Sequence, residues 1–109
     1  MTLDEYQVAA KKTAQYPTIG SSYIYPTLGL AGETGEVVET IKKLERNDGG
    51  VVSANTKEKL TKELGDVLWY VSQIATEFGL SLSEIAVENI SKLEDRKARG
   101  VLHSSGDNR

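Results

Sequence analysis

Two short acidic motifs stand out in the chain because they share the pattern Glu-x-Gly-acid-Val. The first spans Glu33–Val37 and carries Glu36, and the second spans Glu63–Val67 and carries Asp66. Side chains three positions apart on a helix lie on neighbouring positions of one face, so each motif offers a pair of carboxylates. Four carboxylates on two packed helices repel one another unless cations or shared protons intervene. The motifs therefore suggest a site for a magnesium-type cation.

The acids lie beside the apolar stripe of each predicted helix, and in the same phase on both helices. At about 100° per residue, Glu33 falls at the edge of its stripe and Glu36 lies about 60° further round. Glu63 and Asp66 stand in the same relation to their own stripe. One such pair alone is most simply a solvated helix surface paired with lysines such as Lys62. Two in-phase copies favour a shared site, since solvated charges seldom border a buried stripe.

Each motif also contains a glycine, Gly35 in the first and Gly65 in the second. Glycine inside a helix costs roughly 1 kcal/mol relative to alanine, and it usually has a packing reason. We expect that reason to be a close approach of the two helices at the site.

The donor atoms of the motifs indicate which metal suits them. Ligands that are all oxygen select a hard cation, so magnesium or manganese fits four carboxylates better than zinc or copper. A di-iron helical bundle is the structural alternative, but it requires a Glu-x-x-His motif on its helices. The one histidine, His103, lies outside every predicted helix. The donor set therefore favours magnesium.

Four predicted helices must position these motifs. Pro17, the turn at Asn47–Gly50 and Gly79 mark helix ends. Asn55 and Ser81, each with a glutamate three positions on, mark two helix starts. No segment alternates at period two over a useful length, and short loops favour antiparallel neighbours, so the predicted fold is an all-α, antiparallel four-helix bundle. The predicted helices cover residues 3–15, 26–46, 55–78 and 81–98.

Apolar residues at helical spacing predict the buried side of each long helix. In the second helix these residues are Leu30, Val37, Ile41 and Leu44. In the third helix they are Leu60, Leu64, Val67, Val71, Ile74 and Phe78. In the fourth helix they are Leu82, Ile85, Ala86, Ile90 and Leu93.

Composition limits the class of protein. The 109 residues, 39% hydrophobic and 27% charged, predict one globular domain over residues 1–100 with a polar tail over 101–109. No apolar run is long enough to span a membrane, and the N-terminus lacks the pattern of a signal peptide. The absence of cysteine fits the cytoplasm and excludes disulfides and thiolate chemistry. A net charge of -3 argues against a protein that coats nucleic acid.

The fourth helix carries a polar face that suits a phosphate-bearing substrate. Asn89, Lys92 and Arg96 follow one another at spacings of three and four, which places them on one side of a helix. A magnesium site commonly serves phosphates, because the ion keeps water and takes phosphate oxygens. This face would meet a polyphosphate. Alternatively, it is a solvated face paired with acids such as Glu88.

Together, the motifs and the fourth-helix face resemble the MazG-like, all-alpha nucleoside triphosphate pyrophosphohydrolases. That family carries E-x-x-E on one helix and E-x-x-D on the next, here within the segments 28–36 and 62–70. The similarity continues through Asn89-Ile90-Ser91-Lys92-Leu93 to Arg96, so it covers roughly residues 26 to 100. Many members carry another acid directly before the first motif, where this chain has Gly32.

The resemblance implies hydrolysis between the α and β phosphates of a nucleoside triphosphate, which gives a monophosphate and pyrophosphate. The family's acids serve catalysis and bind Mg²⁺, with Mn²⁺ as a substitute, and here they are Glu33, Glu36, Glu63 and Asp66. One of these acids, which the sequence does not single out, also takes the proton of the attacking water. The family's third region binds the phosphates, and here its residues are Asn89, Lys92 and Arg96.

The resemblance also implies assembly, because members form homodimers or homotetramers with sites completed near subunit contacts. Relatives on the same fold, the dUTP and phosphoribosyl-ATP pyrophosphatases, are alternative activities. A regulator that binds nucleotide or metal without catalysis is the alternative of a different class.

Base recognition is the part of the site that the sequence determines least. The Tyr16–Tyr25 loop and Trp69 are candidates to stack on a nucleobase, since aromatic faces do so for any base. The alternative is that these aromatic residues form core or subunit contacts. The tail from His103 to Arg109 either closes over bound nucleotide or is disordered.

Overall fold

The fold is built from helices alone. The computed structural model describes residues 1–103 and Gly106, and over these residues the chain has four helices and no strand. The all-α prediction with four helices is therefore confirmed. The helices are α1 (Leu3–Lys12), α2 (Ile24–Asp48), α3 (Ala54–Glu77) and α4 (Leu82–Ala98).

Serine hydroxyls begin the third and fourth helices. Ser81 accepts a hydrogen bond from the Glu84 backbone N–H at 3.1 Å, as predicted. The predicted cap at Asn55 is wrong, because Ser53 caps α3 by accepting from the Thr56 N–H at 3.2 Å. Ser53 has extended backbone geometry, which lets its side chain reach back to the first turn, whereas Asn55 already lies inside the helix.

The helix ends follow their local signals. Helix α1 ends at Lys12, before the predicted position 15, because the Thr13 hydroxyl bonds back to a carbonyl of the last turn. Helix α2 runs on to Asp48 and stops where Gly49 adopts a φ of 61°. Gly79, with a φ of 67°, follows α3 in the left-handed conformation that was predicted for it.

Helices α2 and α3 pack as an antiparallel pair. Gly29, near the start of α2, lies against Tyr70 in the later half of α3. Thr40, further along α2, contacts Glu63, which is nearer the start of α3. A Cβ on Gly29 would lie 2.7 Å from Cδ1 of Tyr70 and closer still to two other ring atoms. The absence of a side chain at Gly29 therefore makes room on α2 for the Tyr70 ring.

The prediction that Gly35 and Gly65 mark the close approach is wrong. A Cβ built on either glycine meets no neighbouring atom within 4 Å. The missing side chains of both residues point into open space, so the facing helix does not require glycine at these positions.

Helix α1 ties the turn between α3 and α4 to the rest of the chain. The Gln7 amide donates to the Thr76 hydroxyl at 3.1 Å and to the Leu80 carbonyl at 2.9 Å. Its carbonyl oxygen accepts from the Leu82 backbone N–H at 2.8 Å. Asp4 accepts two further hydrogen bonds from the start of α4. These contacts set the direction in which α4 leaves the α2–α3 pair.

A single chain buries few apolar side chains. The buried apolar set among the described residues includes Ala10, Leu44, Ala75 and Leu82. Several predicted core residues are instead exposed, and these are Ile41, Leu64, Phe78, Ile85 and Ile90. The prediction of burial is wrong for this second set within one chain, because the four helices pack pairwise and leave these side chains largely uncovered.

The overall dimensions agree with this open arrangement. The radius of gyration is 16.8 Å, compared with about 13 Å for a compact domain of this length. Helix α4 packs mainly against α1, and α2 packs mainly against α3. The helices of one chain therefore do not close around a single core.

Two further observations concern the length of apolar helix and the C-terminal tail. Over the residues that the structure describes, no helix is both long enough and apolar enough to cross a membrane. The predicted polar tail falls largely on residues 104–105 and 107–109, which lie outside the described residues.

Candidate functional site

The two acidic motifs face one another across the α2–α3 pair. The pKa of Glu33 is raised, first by partial burial and then by the negative charges of Asp66, Glu36 and Glu63. Each of these acids therefore contributes to the electrostatic field at Glu33, and the structure brings all four carboxylates into one region. We call this set, Glu33, Glu36, Glu63 and Asp66, the acidic cluster.

Glu63 is the buried member of the acidic cluster. Glu63 is 9% exposed and Thr40 on α2 is 6% exposed. The Thr40 hydroxyl lies 2.8 Å from Oε1 and 2.7 Å from Oε2 of Glu63, and it is the donor to the carboxylate. This contact links the second motif directly to the helix that carries the first.

Two tyrosine phenols border the acidic cluster. The pKa of Tyr6 on α1 is raised by burial and then by the negative charge of Asp66. The pKa of Tyr70 is raised by burial, then by Tyr25, and then by Glu33 and Asp66. Both phenols therefore keep their protons and remain available as hydrogen-bond donors beside the carboxylates.

Tyr70 also belongs to an aromatic cluster, which consists of Tyr16, Tyr25, Trp69 and Tyr70. Tyr16 stacks on Tyr25 with ring centroids 5.5 Å apart, and it meets Trp69 edge-to-face at 6.0 Å. Trp69 meets Tyr70 edge-to-face at 5.0 Å, and its indole N–H donates to the Thr13 hydroxyl at 2.8 Å. Of the predicted aromatic residues, Tyr16, Tyr25 and Trp69 thus belong to one cluster, whereas Tyr23 stacks on Phe78, and base stacking stays a prediction.

The acidic cluster has the chemistry of a hard-cation site. Its donors are carboxylate oxygens, and Glu36 and Asp66 are exposed. Burial and then repulsion by the other acids raise the pKa of Glu33, and a cation would relieve that repulsion. Among the described residues, no three acids or histidines converge into a preformed metal cage. Mg²⁺ is usually held by one or two carboxylates together with substrate phosphates, so the donor set fits this ion.

The predicted phosphate-binding residues of α4 occupy two environments. Asn89 and Lys92 are exposed and line a groove of about 770 Å³ that Glu84 and Glu88 also line. Arg96 is 3% exposed, so its side chain is not part of the exposed surface of α4. Their phosphate-binding role stays a prediction.

Sequence reasoning missed Thr40 and Tyr70 as neighbours of the acids. Thr40 follows Glu36 by four positions, and Tyr70 follows Asp66 by four positions. Residues at this spacing share a helix face, so a polar or phenolic side chain one turn after each motif was the available signal.

Comparison with known proteins gives a family and one relative. The family model described as the MazG nucleotide pyrophosphohydrolase domain matches residues 25–101. The gene 37 protein of Mycobacterium phage L5 is 44% identical over 114 residues, and the similarity covers 100% of both chains. No solved structure gives a significant match.

Proposed function

The chain belongs to the MazG nucleotide pyrophosphohydrolase family, and from this we propose that it hydrolyses nucleoside triphosphates to a monophosphate and pyrophosphate. One observation carries the proposal: the acid pairs lie on facing helices, where Thr40 of α2 contacts Glu63 of α3, and burial and then the charges of the other three acids raise the pKa of Glu33. Carboxylates gathered in this way suit a substrate that arrives with divalent cations and carries phosphate oxygens.

The acidic cluster would hold magnesium, with manganese as a substitute, through Glu33, Glu36, Glu63 and Asp66. When bound, such ions neutralise phosphate charge and lower the pKa of a bound water. One of the four carboxylates accepts the proton of the attacking water. The water oxygen bonds to the α-phosphorus, and the bond from that phosphorus to the α–β bridging oxygen breaks. Pyrophosphate leaves with the bonding electrons.

The remaining residues bind the substrate. Asn89 and Lys92 are proposed to bind the phosphates, since both are exposed on α4 and supply several N–H donors, whereas Arg96 is buried in a single chain. The aromatic cluster is proposed to border the base, because one of its members, Tyr70, also lies close enough to Glu33 and Asp66 to be affected by their charges. Stacking on aromatic rings tolerates different bases, so this arrangement leaves the base preference open.

We further propose that the chain works in the cytoplasm as a homodimer or homotetramer. The open shape and the exposed apolar side chains of α3 and α4 support assembly, since large exposed apolar patches usually mark interaction sites. Neither nucleic acid nor a membrane is expected as a partner.

A substrate screen tests the proposed reaction. Purified protein is incubated with Mg²⁺ and each common ribonucleoside and deoxyribonucleoside triphosphate, dUTP included, and with phosphoribosyl-ATP. We expect equal amounts of monophosphate and pyrophosphate. Release of orthophosphate alone would exclude the proposed bond. Tight nucleotide binding without turnover would indicate a non-catalytic regulator instead.

A further inference from the structure

The threonine that contacts Glu63 uses its hydroxyl differently from other threonines of the same helices. Thr27 and Thr34 on α2 and Thr61 on α3 each donate to the backbone carbonyl four residues earlier, at 2.7 Å. Thr40 donates instead to a carboxylate of the facing helix. The local bond is available to a threonine inside any helix, so its replacement at Thr40 marks a specific interaction with Glu63.

The geometry of this contact orients the carboxylate. The Thr40 hydroxyl lies almost equally far from the two oxygens of Glu63, at 2.8 and 2.7 Å, although it has one proton to donate. A threonine in a helix has two preferred χ1 rotamers, and the contact with Glu63 holds the Thr40 hydroxyl in a defined position. The carboxylate of Glu63 is therefore fixed relative to α2.

The position of Thr40 connects this contact with the first acidic motif. Thr40 lies one helical turn after Glu36, so the two side chains occupy the same face of α2. Helix α2 thus carries one acid pair and also the group that orients Glu63 of the other pair. Neither Thr40 nor Glu63 is exposed enough for water to replace the hydroxyl freely, since Thr40 is 6% exposed and Glu63 is 9% exposed.

We propose that Thr40 is a positioning residue for Glu63, and that its hydroxyl sets the carboxylate orientation with which the acidic cluster binds a divalent cation. This inference rests on the proposed function of the cluster. Groups that orient metal-binding side chains typically change metal affinity or activity by about 10- to 100-fold when removed.

Three variants of Thr40 separate the hydroxyl from the shape of the side chain. Thr40→Val keeps the shape without the hydroxyl, Thr40→Ser keeps the hydroxyl, and Thr40→Ala lacks both the hydroxyl and the branch. Thr61→Val is the matched control, because it removes an exposed threonine hydroxyl that bonds its own helix on the opposite side of α3 from Glu63. Mn²⁺ alone is titrated into each protein by calorimetry, thermal unfolding is measured without metal, and kcat and KM are measured with Mg²⁺.

We expect Thr40→Val to weaken Mn²⁺ binding and lower kcat by about tenfold or more, with little change in KM. Thr40→Ser should restore both quantities, and Thr61→Val should match the unmodified protein. If Thr40→Val does not fold, the comparison of Thr40→Ala with Thr40→Ser decides the same point.

Two results would overturn the inference. The first is Mn²⁺ affinity and kcat unchanged in Thr40→Val, with only the melting temperature lowered, because Thr40 would then be a structural partner. The second is a Thr40→Ser variant as impaired as the valine variant. If Mn²⁺ binding depends on the hydroxyl but the protein cleaves no triphosphate, the proposed function is refuted and the inference still holds. Absence of Mn²⁺ binding by the unmodified protein would refute the inference.

Discussion

Gly29 on α2 lies directly against the ring of Tyr70 on α3, and no side chain larger than hydrogen fits there without movement. Tyr70 stands one turn after Asp66 and meets Trp69 edge-to-face at 5.0 Å. The close contact at Gly29 therefore holds the residue that joins the acidic cluster to the aromatic cluster. Gly29 therefore matters both for the packing of α2 against α3 and for the placement of Tyr70 beside the site.

The first prediction compares two glycines of α2. Gly29→Ala should destabilise the protein by about 1–3 kcal/mol, because the new methyl group overlaps a ring that is itself packed against Trp69. Gly35→Ala should stabilise it by about 0.5–1 kcal/mol, because its Cβ enters open space and alanine favours the helix. Urea unfolding of both variants measures the difference. A Gly29→Ala protein as stable as the Gly35→Ala protein would contradict the close contact.

These two glycines also illustrate which parts of the fold the sequence predicts and which parts it does not. Helix number and most helix ends follow from local signals such as Ser81 and Gly49, which act within a few residues. Which glycine meets the facing helix depends on the rotation of both helices, and that rotation is set by contacts distant in sequence. The apolar side of α4 was likewise recognisable from residues such as Ile90. Its exposure in a single chain was not, because exposure depends on where the other helices lie.

The second prediction concerns the acids of α3. Glu63→Gln and Asp66→Asn should each abolish metal-dependent turnover, since each removes a carboxylate charge with little change in size. In Glu63→Gln the Thr40 hydroxyl can still donate to the oxygen of the new side-chain amide, so the fold should persist. Pyrophosphate release and far-UV circular dichroism provide the two measurements.

A surface glutamate of the same helix supplies the control for these variants. Glu58 is exposed and lies 3.7 Å from the Lys62 amine, so Glu58→Gln should keep activity and change stability little. Full activity in both Glu63→Gln and Asp66→Asn would exclude the acidic cluster as the catalytic site.

Periodicity was enough to find the acidic cluster but not the residues that support it. The acids repeat with the same spacing on two helices, which is a pattern visible in one dimension. The support for Glu63 comes from Thr40, on a different helix, and the place of Thr40 one turn after Glu36 does not by itself identify Glu63 as its partner. Such a partner is identified only when the register of α2 against α3 is known.

The third prediction concerns stability at alkaline pH. Burial, and then a hydrogen bond of 2.7 Å to Glu77, raise the pKa of Tyr16 from 10.0 to about 12. Below pH 10 the phenol is protonated in both folded and unfolded chains, and its stabilisation is fully present. Between pH 10 and about 12 the unfolded chain loses the proton first, so the stabilisation declines as the pH rises.

Tyr16→Phe isolates this contribution, because phenylalanine keeps the ring and lacks the proton. The variant should melt at a lower temperature than the unmodified protein at about pH 9, and the gap should narrow by about pH 11. Thermal unfolding followed by the fluorescence of Trp69, the one tryptophan of the chain, measures this gap. A gap that stays constant over this range would show that the Tyr16 proton does not contribute.

The last prediction concerns the exposed apolar side of α4. Val87 and Ile90 are 68% and 53% exposed, one helical turn apart, and an apolar surface of this kind is stabilised when a second copy covers it. We expect sedimentation velocity to give a dimer or tetramer for the unmodified protein and a smaller species for Ile90→Asp, because burying an unpaired charge at a contact is costly. Asn55→Asp adds the same charge to the exposed first turn of α3 and should leave the assembly intact, since an acid is favourable at a helix N-terminus. If the unmodified protein sediments as a monomer, the predicted assembly is contradicted, and these side chains remain in contact with water.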